Sequence, residues 1–133
     1  MTKENALQKL QDYFKCERVA DDRQSSLRLA KGEDVVVNLK LLTIGGRRVV
    51  IDVYAGAHAD KVWGRLEKHL SALQPSGCKG NEKKIENIKD IQDRGSLIAR
   101  YDTGKVWDLG LDEKQMGGIK KAVVEVCKAS GCV

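Results

Sequence analysis

The chain has 133 residues, 41% of them hydrophobic, and 24 Lys and Arg against 19 Asp and Glu give a formal net charge of +5. That length fits one domain able to bury about two-thirds of its unfolded surface. The longest apolar runs fall far short of the ~20 residues a membrane helix needs, and the interspersed signs exclude the dense basic block of a dedicated polyanion binder.

The opening Met1-Thr2-Lys3-Glu4-Asn5 lacks the apolar core of a secretory signal, so the expected location is the cytoplasm. Residues 3–16 then place Ala6, Leu7, Leu10, Tyr13 and Phe14 on one helical stripe, with Thr2 as N-cap. The polar run Asp21-Asp22-Arg23-Gln24-Ser25 reads as a loop, and Ser26 to Ala30 alternates as a short strand. Two stronger strands follow. Val35, Val37, Leu39 and Leu41 share a face of the first, and Val49, Ile51 and Val53 share a face of the second.

A loop of three residues, Ile44-Gly45-Gly46, with Gly46 in the left-handed region keeps every apolar residue on one side. It sets Val37 opposite Val53, Leu39 opposite Ile51 and Leu41 opposite Val49. A helix is expected over 58–74, with Val62, Trp63, Leu66, Leu70 and Leu73 inward and Pro75 and Gly77 stopping it. Residues 76–84 read as an exposed flexible loop. Ile85, Ile88 and Ile91 repeat every third position, which leaves helix and strand both open for 85–92.

Asp102-Thr103-Gly104 has the chemistry of a second hairpin loop, pairing Tyr101 with Lys105, Ala99 with Trp107 and Leu97 with Leu109. Asp112 and Gln115 have capping-box spacing ahead of a last helix over 112–129, with Met116, Ile119, Val123, Val126 and Cys127 inward. The expected architecture is therefore α+β: a single domain, 1–133, with an antiparallel sheet of about four to six strands and about three helices on one face.

Catalytic patterns are sparse. Gly45-Gly46 joins two strands and Gly117-Gly118 lies inside a helix, so neither forms a phosphate loop. Cys16, Cys78, Cys127 and Cys132 contain no CxxC pair, and His58 and His69 lie far from them in sequence, so no zinc site or other cofactor is expected. A cytosolic address makes them free thiols. Cys78, beside Lys79, is the one candidate for a reactive thiol. A degenerate metal-dependent nuclease would draw on Asp34 and on Asp52, which the register places opposite Asn38. A solvated polar face is the plainer reading of those carboxylates.

The informative surface is the sheet face that the helices leave bare. By alternation it carries Arg28, Lys40, Arg48, Tyr54 and Arg100 as candidate binding residues, beside Asn38, Asp52 and Asp108. Val36, Leu42, Val50, Ile98 and Val106 lie between them, giving a mildly basic and sticky face. Single-stranded RNA is bound by several stacked aromatics, whereas Tyr54 stands alone here.

The run Val35–Leu42, Arg48–Ala55, a helix carrying Trp63-x-x-Leu66-Glu67, and Ser96–Tyr101 resembles an uncharacterised domain often appended to restriction-type nucleases. The likeness covers roughly 35–129 and brings no catalytic motif or site residue. The expected function is a non-enzymatic binding domain for a protein or nucleoprotein partner, with direct nucleic-acid contact open and no membrane. One concrete form is a phage or mobile-element inhibitor of a host defence complex. Dimerisation, if any, would use the sheet face.

Overall fold

In the computed structural model the described residues are 1–21, 24–70, 79–81 and 96–132. They form three helices on one face of a six-stranded antiparallel sheet, the α+β arrangement expected. Helix α1 (Lys3–Phe14) starts where the Thr2 hydroxyl accepts the Asn5 N–H at 3.1 Å, and it buries Ala6, Leu7 and Leu10. It ends at Lys15, which takes a left-handed φ of 53°. Tyr13, expected inward, is 38% exposed and lies edge-on to Phe14.

Strand β1 (Glu17–Asp21) pairs with β2 (Gln24–Lys31), so the polar run read as a loop lies partly in two strands. Strand β1 has only Val19 and Ala20 as apolar residues, too few for a visible alternation. Arg18 points from β1 to α1, where its guanidinium meets Glu4, Gln8 and Gln11.

Strands β3 (Val35–Leu41) and β4 (Arg48–Ala55) hold the expected register, with Val37 opposite Val53, Leu39 opposite Ile51 and Leu41 opposite Val49. The turn between them has φ values of 77° at Gly45 and 117° at Gly46, conformations that a side chain would strain. Helix α2 (Ala59–Leu70) buries Val62 and Leu66 and lays Trp63 partly against the core. Its expected extension over 71–74 and the ambiguous run 85–92 lie outside the described residues, as does Cys78.

Within the run expected to be a loop, β5 (Lys79–Asn81) is a short strand paired with β6 (Ser96–Val106). The second hairpin expected from the sequence does not form. Residues Ser96–Val106 form one continuous strand, β6, between β4 and β5. Asp102 pairs with Val50 and Val106 with Arg48, so β6 carries two more residues than β4 over that stretch. The turn chemistry is absorbed by this bulge. The Asp102 carboxylate accepts the Gly104 N–H at 2.9 Å, the Thr103 hydroxyl donates to the Val49 carbonyl at 2.7 Å, and Gly104 has φ 75°. Leu109, expected in the core, is consequently 82% exposed.

Helix α3 (Glu113–Ser130) opens on the expected capping box, Asp112 and Gln115 each bonding the other's backbone N–H. Met116, Ile119, Val123, Val126 and Cys127 are buried, as the stripe requires.

Candidate functional site

The register lines up one polar row on the sheet face opposite the helices. Arg28 is opposite Asn38, Asn38 is opposite Asp52, and Asp52 is opposite Arg100. The face is not the open surface expected from alternation. Asn38 and Asp52 have no exposure, and Val36, Val50, Tyr54 and Leu97 are all buried. Tyr54, expected as an exposed aromatic, forms a small apolar cluster with Val36 and Leu97. Its hydroxyl lies 3.5 Å from an Asp52 oxygen.

Arg100 is bound to this row. Its Nε and Nη2 donate to the two oxygens of Asp52 at 2.7 and 3.0 Å, a fork-to-fork pair with one partner fully buried. Arg48 is ion-paired with Asp102, and Arg28 and Lys40 are half-buried. Beneath them, Asn38 Oδ1 and Nδ2, Ser26 Oγ and Arg28 Nε are buried without a hydrogen-bond partner among the described residues.

The two nuclease candidates are not brought together. Asp34 lies just before β3, and three strand positions, about 10 Å, separate Val35 from Asn38, the residue opposite Asp52. Asp34 accepts the His58 N–H at 2.6 Å just ahead of α2, and Asp52 is engaged by Arg100. Among the described residues, no three His, Cys, Asp or Glu side chains converge as a metal site would require. Both histidines are exposed. A cavity of about 270 Å³ lies between α2, the end of α3 and the β2–β3 turn. Glu33 and Asp34 line it alongside Lys61 and Arg65, so its walls carry both signs.

The exposed feature that alternation did not reveal lies at one end of the sheet. The Trp107 backbone N–H donates to the Arg47 carbonyl at 2.9 Å, and its indole N–H donates to the Leu42 carbonyl at 2.8 Å. The Arg47 guanidinium lies 5.8 Å from the Trp107 ring centre and 3.3 Å from an Asp108 oxygen. These contacts join the β3–β4 turn to the turn after β6. Each turn holds out one aliphatic side chain: Ile44 is 90% exposed and Leu109 is 82% exposed. The sequence did contain a signal, because an isoleucine between a threonine and two glycines has no strand face to serve.

Compared with known proteins, the chain matches no family model, no curated protein and no solved structure.

Proposed function

We propose that the chain is a non-enzymatic binding domain that docks a mildly basic surface onto a protein or nucleoprotein partner, with Ile44 and Leu109 as its apolar anchors. The observation that carries this reading is their exposure of 90% and 82% on two turns tied by Arg47, Trp107 and Asp108. Large aliphatic side chains held out on a braced support can be buried by a partner without the support having to order first. Arg47, with a side chain 59% exposed, adds charge beside them.

The expected sheet-face residues Arg28, Lys40, Arg48 and Arg100 enter this reading as a rim around a closed face, and Tyr54 as part of its interior. The test is recovery of partners with the parent protein and with an Ile44→Asp, Leu109→Asp variant, each with and without nuclease treatment. The reading requires a partner set that the variant loses. An unchanged set would refute the anchors, and a set lost only on nuclease treatment would replace the protein partner with nucleic acid.

A further inference from the structure

The C-terminal end of α3 brings two cysteines together. Gly131 takes φ 86°, its N–H bonds the Lys128 carbonyl at 3.2 Å, and the Cys132 N–H bonds the Cys127 carbonyl at 2.9 Å. This is the paired hydrogen-bond closure in which the second residue past a helix lies against the last turn. A backbone hydrogen bond between the two residues themselves limits their Cα separation. The carbonyl angle holds Cα and O about 2.4 Å apart, so even a straight path from there, across the 2.9 Å hydrogen bond and the N–Cα bond, adds to about 6.8 Å. A disulfide accepts about 4.4–6.8 Å, so the backbone holds the pair within bridging range.

The side chains differ in a way that orders their reactivity. Cys127 is buried at 6% exposure, whereas Cys132 is half-buried with its sulfur 3.9 Å from the Val35 carbonyl. Burial raises the Cys127 thiol to about 11, with the neighbouring Cys132 adding to the shift. Burial also raises Cys132, but Ser130, Gly32 and Arg65 act the other way. The Arg65 guanidinium is beside this thiol, bonding the Ser130 carbonyl at 3.3 Å.

We propose that Cys127 and Cys132, free thiols in this structure, are a dithiol pair that a low-molecular-weight disulfide such as glutathione disulfide oxidises to an intramolecular bridge, with Cys132 reacting first. The Cys132 thiolate attacks one sulfur of the oxidant, and one glutathione thiolate leaves and takes up a proton. Cys127, giving its proton to solvent, then attacks the Cys132 sulfur and expels the second glutathione. Two protein thiols are oxidised and one oxidant disulfide is reduced to two thiols. The bridge draws the Cys132 sulfur from the Val35 carbonyl, changing how the end of α3 meets the β2–β3 turn and the Gly131 wall of the cavity.

The test treats the native full chain with glutathione disulfide and maps the product without reduction. Trypsin cuts after Lys128, between the two cysteines, so a bridge joins peptides 122–128 and 129–133. The expected product is this linked pair, lighter than the two free peptides by two hydrogen atoms and released by dithiothreitol. Cys127→Ser should accumulate stable glutathione at Cys132, and Cys132→Ser should react at position 127 at least tenfold more slowly. Persistent glutathione on Cys132 in the parent chain would overturn the proposal. So would a 127–132 bridge that forms only in denaturant, since native backbone geometry would then play no part.

Discussion

Asp52 is fully buried, and both of its oxygens meet the Arg100 guanidinium, at 2.7 and 3.0 Å. Removing one member of such a pair leaves a charge buried without compensation, which is far more harmful than losing a surface contact. Arg100→Glu adds a second carboxylate and should destabilise the fold by about 3 kcal/mol or more, seen as a lowered urea midpoint. Strand alternation alone would have made Arg100 a harmless surface position, because alternation gives a side without saying what lies over it. Asn38 presents the reverse case. Its amide is fully buried, and among the described residues neither Oδ1 nor Nδ2 has a partner, beside a face that carries Val36, Val50 and Leu97. Asn38→Leu removes two unsatisfied groups at similar volume, so stability should hold or rise by about 1 kcal/mol. A loss above that size would mean the amide is hydrogen-bonded in solution, and thermal unfolding distinguishes the two.

Two glycines test the elements separately. Gly104 in the β6 bulge has φ 75° with no described residue within 4 Å of an added Cβ, so Gly104→Ala meets backbone strain, about 1 kcal/mol. Gly117 in α3 is equally open but takes no positive φ, so Gly117→Ala should stabilise by about 0.8 kcal/mol. Opposite shifts in unfolding temperature are expected, and a neutral Gly104→Ala would count against the bulge. The same bulge shows where local sequence stops being sufficient. At Ile44-Gly45-Gly46 the apolar alternation on both flanks fixed the register, because any slip would mix polar and apolar faces. At Asp102-Thr103-Gly104 the left-handed glycine and the carboxylate cap serve a turn and a bulge equally well. The choice was made by β4, whose other edge needs a strand partner, and that pairing is invisible from the residues of 96–106 alone. The helices were legible because Thr2, Asp112 and Gln115 are local devices that need no distant partner.

At the scale of the whole molecule, the net charge of +5 is a small excess over many charges of both signs. Among the described residues Glu4 is paired with Arg18, Asp108 with Arg47, Asp102 with Arg48 and Asp52 with Arg100, so acidic groups interrupt the basic ones there. A protein that neutralises six to ten phosphates loses about 10³- to 10⁵-fold in affinity between 50 and 200 mM salt, through counterion release. Docking led by Ile44 and Leu109 gains chiefly from apolar area removed from water, a term that salt of this concentration leaves almost unchanged. The expected result for the recovered partner is therefore a loss of less than about tenfold over that range. Ile44→Asp with Leu109→Asp should weaken binding by roughly 100-fold, as expected when two anchors are lost. The same substitutions should move thermal unfolding within about 0.5 kcal/mol, because exposed side chains carry little of the core. A steep salt slope with an unaffected anchor variant would instead assign binding to the basic rim of Arg28, Lys40 and Arg48. Titrating one purified partner against both proteins at several salt concentrations separates the two surfaces, since the apolar anchors predict a shallow salt slope and the basic rim a steep one.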